Sequence, residues 1–162
     1  MIRQATPEDF DWIREIAIEV YAPFGDYGNI IPTWLTHKGM LTYLDMGERG
    51  TRRGFILLGF YEPEDAADDA TYIADLLAIG VASRFQGTGV GRRLLEYAID
   101  LAGLAGHRVP VPEIRLTVAD TNVRARNLFA RCGFEVLDEE HGAYDGGQRA
   151  IRMRRRMEPQ AR

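Results

Sequence analysis

Residues 73 to 95 constrain this chain more than any other stretch. An apolar, β-compatible run from Ile73 to Val81 feeds a turn with glycine at 87, 89 and 91, and an amphipathic helix follows from Arg92. The first-turn amides of a helix have no acceptor within it, and the helix dipole adds partial positive charge there. Glycine on every second residue lets the backbone approach a ligand without Cβ obstruction and permits φ > 0 where the loop needs it. Strand, turn and helix in this order present converging N–H donors to an anion, and a pyrophosphate is the natural guest.

Two familiar phosphate motifs fit poorly. No Lys-Ser or Lys-Thr pair follows the glycines, as GxxxxGK[ST] requires. Gly87-Thr88-Gly89-Val90-Gly91 reads GxGxG rather than GxGxxG. An acidic ribose ligand is expected about 20 residues on, at the end of a second strand. Asp100 is too near and on the helix, while Glu113 is a loose match. On local features alone, a turn with only a structural job remains the bland alternative.

The stretch Gln86-Gly87-Thr88-Gly89-Val90-Gly91 resembles the Q/R-x-x-G-x-G/A acetyl-CoA signature of the GNAT acyltransferase superfamily. A second block, Asn122 to Phe134 (NVRARNLFARCGF), resembles the family's N-x-x-A-x-x-L-Y-x-x-x-G-F element and follows a β-compatible run, Ile114 to Ala119. The resemblance is close over residues 71 to 134 and looser in the flanks. It implies an α/β fold: a GNAT-like mixed, centrally splayed β-sheet flanked by helices on both faces, with residues 1–162 as one acetyltransferase domain.

Composition agrees with that scale. A chain of 162 residues, 46% hydrophobic and 27% charged, can bury one core without dividing. No apolar run approaches the roughly 20 residues of a membrane helix. The start, MIRQATPEDFDW, lacks the basic-then-apolar plan of a secretory signal, so a cytoplasmic location without membrane attachment is expected. Cys132 is the single cysteine, and His37, His107 and His141 have no ligand-like spacing, so no metal is expected. A net charge of −4 argues against nucleic acid as a partner. Charge is uneven: Glu62, Glu64, Asp65, Asp68 and Asp69 form an acidic loop, and Arg149, Arg152, Arg154, Arg155, Arg156 and Arg162 load the C-terminus. Both read first as solvated surface, with attraction of a cationic amine or of an acidic partner as the alternatives.

Along the chain, Ile2 to Ala5 is β-compatible, and Thr6-Pro7-Glu8-Asp9 is a helix start with Thr6 as N-cap. Phe10, Ile13, Ala17 and Val20 recur at helical spacing to about Tyr21. Residues 22 to 31 are turn-rich. The spacing of Trp34, Leu35, Leu41 and Leu44 predicts a second helix over Thr33 to Met46. Strands are expected at Phe55 to Tyr61, Thr71 to Val81, Ile114 to Ala119, Phe134 to Asp138 and Arg149 to Met157. Helices are expected from the glycine turn to about Ala105 and over Asn122 to Arg131.

The resemblance also implies a site. Acetyl-CoA is the expected cosubstrate. Its pantetheine arm pairs with unpaired strand groups around Ile79 and Val81, and amides from Gly87 to Arg92 hold the pyrophosphate, so that Gln86, Gly87, Thr88, Gly89, Val90, Gly91 and Arg92 all belong to the cofactor site. Asn122 matches a position that contacts pantetheine, and it is equally a helix N-cap type. The reaction is direct acyl transfer to an amine, which needs a proton acceptor and an N–H aimed at the oxyanion, here the Val81 amide. Asp75 interrupts an apolar strand where Asp is disfavoured, and it matches the base position of the histone-acetylating branch with a side chain one methylene shorter. A water relay to the amine is then plausible, and an outward-facing polar residue is the bland alternative.

One position departs from the family pattern. Phe129 stands where a tyrosine usually protonates the departing thiolate, and phenylalanine has no proton to give. Tyr144 is the candidate acid or substrate clamp, and Tyr72 is a weaker one. Cys132 has no adjacent histidine and reads as a packing residue. The tail from Phe134 to Met153 faintly resembles the last hairpin of enzymes that acetylate protein N-termini, although Thr117 stands where those carry a glutamate. The acceptor slot would combine Tyr21, Phe24, Tyr27, Ile30, Ile31 and Trp34 with Tyr144. Partners are therefore a small-molecule or peptide amine, and a homodimer is common among relatives. The leading function is an acetyl-CoA-dependent N-acetyltransferase. A non-catalytic acyl-CoA-binding sensor is the alternative, and a nicotinamide oxidoreductase is remote.

Overall fold

The computed structural model describes residues 1–64 and 71–159; Asp65, Asp68 and Asp69 of the acidic loop, and Arg162, lie outside the described residues. Strands β1 (Ile2–Gln4), β2 (Met40–Met46), β3 (Arg52–Tyr61), β4 (Ile73–Val81), β5 (Glu113–Ala119), β6 (Glu135–Ala143) and β7 (Arg149–Arg156) form one sheet in the order β1-β2-β3-β4-β5-β7-β6. Only the central β4–β5 pair is parallel. Helices α1 (Phe10–Tyr21) and α2 (Tyr27–Leu35) cover one face; α3 (Val90–Ala105) and α4 (Val123–Arg131) cover the other.

The reason for two covered faces is visible in β3. Side chains alternate across a strand, so a run that is apolar at every position must be buried on both sides. Phe55 and Leu57 pack with Ile13, Ile16, Ala17 and Ile31 of α1 and α2. Ile56 and Leu58 pack with Val90, Leu94, Leu95 and Ala98 of α3. Tertiary ties complete each layer. Asp9 is fully buried at the start of the α1 region, accepting from Arg3, Arg52 and the Thr6 amide, and these partners hold its carboxyl far below the usual range.

The helix expected over Thr33 to Met46 is not found. Its first residues close α2, and Met40–Met46 is β2, paired with both β1 and β3. Trp34, Leu35, Leu41 and Leu44 do fit a helical period, but a turn at 36–39 and two available strand edges decide the outcome: Thr42, Leu44 and Met46 alternate inward. α2 contains Pro32, which lacks the amide that would donate to the Gly28 carbonyl four residues back. The Arg14 guanidinium supplies the missing donor at 2.9 Å.

The centre of the sheet opens. β4 pairs with β5 only from Ala74–Ile114 to Leu76–Leu116. Beyond that point β4 continues along β3 to Val81–Gly54, while β5 continues along β7 to Ala119–Ala150. At the divergence Leu57 pairs with Ala78 and Leu58 with Leu76, leaving Leu77 as the extra residue of a bulge, which bends the bulged strand.

Candidate active site

The gap leaves one edge of β4 without a neighbouring strand. Ala82 N donates to Arg53 O at 2.9 Å, so Gly54–Val81 is a pair whose own backbone groups point away from each other. By alternation the polar groups of Val81 and Ile79 face the gap. Three of these four groups have partners. The Tyr21 hydroxyl accepts from Ile79 N at 2.9 Å and donates to Ile79 O at 3.0 Å. Gln86 Nε2 donates to Val81 O at 3.1 Å. The Val81 N–H meets no acceptor among the described residues.

The glycine turn follows at once. A short 3-10 turn, Ser83–Phe85, leads into it, and α3 begins at Val90 rather than at Arg92. Gly87 and Gly89 have φ of 78° and 90°, a left-handed conformation that costs other residues strain. Gln86 N donates to Ser83 O and Arg93 N to Gly89 O. The six amides between them, Gly87 to Arg92, donate to nothing among the described residues. The Thr88 hydroxyl turns back to Phe85 O at 2.5 Å. From α4, Arg124 Nη1 donates to Gln86 Oε1 at 3.2 Å and brings a cation beside Gly87. Free donors, a helix N-terminus and an arginine together fit a diphosphate. Arg92 and Arg93 point elsewhere, to Glu96 and Asp45.

Asn122 is the N-cap of α4, its Oδ1 accepting from Ala125 N at 3.3 Å. Phe129 is buried against Phe134, with ring centroids 6.0 Å apart. Burial raises the Cys132 thiol above its ordinary range, the opposite of nucleophile activation.

On the other face, Asp75 lies between Gly59 of β3 and Arg115 of β5. Burial pushes its carboxyl up, and Arg152, Arg115 and His141 pull it partly back. It has no hydrogen bond or ion pair among the described residues. Arg152 is held by Tyr61, whose hydroxyl accepts from Nη2 at 2.8 Å, and its Nη1 stands 3.3 Å from His141 Nε2. Arg152 and His141 reach Asp75 from β7 and β6, at the far end of the chain, so no local sequence signal marks them as its neighbours.

The expected acceptor wall assembles in part. Tyr21 stacks on Tyr27 with centroids at 4.1 Å, Tyr27 meets Trp34 edge-on at 6.2 Å, and Phe24 meets Tyr144 at 5.7 Å. Ile31 instead belongs to the core, and Ile30 is exposed. The β6–β7 loop is fastened to the α1–α2 loop: Gly146 N donates to Phe24 O at 3.3 Å and Gln148 Nε2 to Pro23 O at 2.9 Å. A Cβ at Gly146 would stand 2.1 Å from Pro23 O, so only glycine permits this approach. Burial raises the Tyr144 phenol well above its ordinary value, so the hydroxyl stays protonated. Tyr72 lies before the opposite end of β4, its phenol raised by a hydrogen bond to Glu62.

A sheet that splits beside a glycine turn of free amides sets an open strand edge next to an anion-binding helix N-terminus. Residues 9–134 match the acetyltransferase (GNAT) family, and the chain belongs to it. It is 34% identical over 124 residues to N-alpha-acetyltransferase 40 of Saccharomyces cerevisiae, a match covering 67% of this chain and 43% of that protein. It is 32% identical over 109 residues to mycothiol acetyltransferase of Propionibacterium freudenreichii, covering 67% of this chain and 31% of that protein. The chain thus spans less than half the length of either relative. In fold it is similar to Arabidopsis thaliana NAA60 in complex with a bisubstrate analogue, at a TM-score of 0.82 and 12% identity, with 99% of both chains covered. No helix among the described residues is long and apolar enough to cross a membrane.

Proposed function

We propose that this chain is an acetyl-CoA-dependent N-acetyltransferase that moves an acetyl group directly to a primary amine, on a small molecule or at a peptide or protein N-terminus. The observation that carries the reading is the open edge of β4, running into six amides from Gly87 to Arg92 which, like the Val81 N–H, have no partner among the described residues. The diphosphate would lie on Gln86 to Arg92, with Arg124 beside it, and the pantetheine arm along Ile79 and Val81, with Asn122 as the further contact that the family resemblance implies. The names of both curated relatives support acetyl transfer, and the NAA60 complexes, one of them with acetyl-CoA, support the cosubstrate. Acting on an acetyl-CoA pool, the protein would work in the cytoplasm.

The cosubstrate supplies a thioester carbonyl and a thiolate leaving group. The chain's own residues then divide the work. Asp75 takes a proton from the substrate ammonium, directly or through a water, so that the neutral amine attacks the thioester carbonyl; its buried, upward-shifted carboxyl is a stronger base than an exposed aspartate. The Val81 N–H donates to the oxygen on which negative charge develops. The Tyr144 hydroxyl, kept protonated by burial, is the candidate proton donor to the departing thiolate or a clamp on the acceptor, and Phe24, Tyr27 and Trp34 hold the apolar part of the amine.

A non-catalytic acyl-CoA sensor is the second reading, favoured by Phe129, whose ring is packed in the core where relatives place a hydroxyl. Thiol release from acetyl-CoA with a panel of amines and short peptides separates the two. Turnover with at least one amine, lost in Asp75→Asn, supports the transferase; tight coenzyme A binding with no turnover on any amine supports the sensor.

A further inference from the structure

We propose that the Tyr21 hydroxyl is a placeholder for the acyl carrier on the open edge of β4, displaced from Ile79 when the carrier binds. This rests on the acyl-CoA reading of the gap given above. A ligand that adds to a strand edge pairs with alternate residues, because only those direct their N–H and C=O outward. On β4 these are Val81 and Ile79. Val81 offers its N–H, and its carbonyl accepts from the exposed amide of Gln86. Ile79 offers nothing, since one atom, the Tyr21 Oη, holds both its N–H and its C=O at 2.9 and 3.0 Å.

That arrangement has a physical cause. A gap kept open without a guest would leave two backbone groups of a central strand unpaired, each at the cost of a lost hydrogen bond. A hydroxyl is one of few groups that accepts and donates through a single atom, so it satisfies both as a neighbouring strand would. Burial keeps this phenol protonated, as that double bond requires. A carrier paired at Ile79 and the Tyr21 hydroxyl are mutually exclusive. Tyr21 is also the last residue of α1, followed by a loop, and its ring stacks on Tyr27, which meets Trp34. Withdrawal of the hydroxyl therefore reaches the aromatic wall of the acceptor slot.

The test is calorimetric titration of coenzyme A into wild type, Tyr21→Phe and Tyr21→Leu, with thermal melts of each. Without the hydroxyl there is nothing to displace, and each net hydrogen bond no longer surrendered tightens binding about fivefold. Both variants should bind coenzyme A at least about fivefold more tightly, melt lower when unliganded, and gain more in melting temperature from the ligand than wild type does. Equal or weaker affinity in the folded variants overturns the Tyr21 proposal alone. No heat in wild type overturns the acyl-CoA reading as well. A readout independent of folding in the variants is fluorine NMR of wild-type protein labelled with 3-fluorotyrosine: coenzyme A should shift resonances of the stacked pair, and seven unmoved tyrosine resonances would overturn the proposal.

Discussion

Gln86 joins strand β4 to helix α4: its Nε2 donates to the Val81 carbonyl at 3.1 Å and its Oε1 accepts from Arg124 at 3.2 Å. One exposed side chain thus fixes the turn to the strand before it and to the helix across the gap. Arg124→Ala should weaken coenzyme A about tenfold, with a steeper salt dependence in wild type than in the variant. Gln86→Ala should weaken it by a similar factor, and the double variant by less than the product, because the two residues act through one bridge. Calorimetry at two ionic strengths checks this. Stability should change by no more than about 0.5 kcal/mol, as befits exposed positions.

Asp75 is expected to favour activity at the expense of stability. Its folded carboxyl titrates above an unfolded aspartate, so between the unfolded value of about 3.9 and the raised folded value the native state holds the extra proton. Stability therefore falls as pH rises through that window, and the deficit persists at neutral pH. Asp75→Asn should melt higher than wild type at pH 7, and the difference should shrink as pH is lowered through the carboxylate range. The same variant should lose about 100-fold or more in kcat/KM and lose the acid limb of the pH profile. A wild-type rate that does not decline toward acid would remove Asp75 from the base role.

Legibility followed sequence separation. The glycine turn, β4 and α3 could be read because each declares itself within one window: glycines at 87, 89 and 91, an apolar run before them, and helical spacing after. Strand β2 could not, because Trp34, Leu35, Leu41 and Leu44 satisfy a helical period, and only the neighbouring edges of β1 and β3 make Leu41 and Leu44 strand while Trp34 and Leu35 close α2. Asn122 was legible in both its readings, and the N-cap bond is the one the fold displays. Tyr21 was readable as an aromatic of the acceptor wall, but its bond to Ile79 spans 58 positions and leaves no local trace. Arg152 and His141 beside Asp75 are hidden for the same reason.

Asp45 ties β2 to β3 and to the first turn of α3. It is fully buried on β2, accepting from Arg53 of β3 at 2.6 Å and from Arg93, in the first turn of α3, at 3.0 Å. Both arginines are partly exposed and keep hydration if the aspartate is lost, which discounts the penalty of stranding them. Asp45→Ala should cost about 2–3 kcal/mol in urea unfolding, and the folded fraction should bind coenzyme A more weakly because the amides at Val90 to Arg92 lose their anchor. An unchanged coenzyme A affinity would confine Asp45 to stability.

The Arg14–Gly28–Pro32 relationship lends itself to a double-mutant cycle. Pro32 removes the helical donor to the Gly28 carbonyl, and Arg14 Nε fills that vacancy from α1 at 2.9 Å. In the natural background Arg14→Ala should destabilise by about 1–2 kcal/mol, since the carbonyl loses a charged donor and α2 its tie to α1. Pro32→Ala restores an amide able to make the ordinary bond to Gly28. In that background Arg14→Ala should cost about 1 kcal/mol less, giving a coupling energy of that size in chemical denaturation. Because α2 carries Tyr27 and Trp34, Arg14→Ala should also raise KM for the amine while leaving coenzyme A affinity within about twofold. Purely additive stabilities would mean that the arginine packs against α2 without replacing the missing donor.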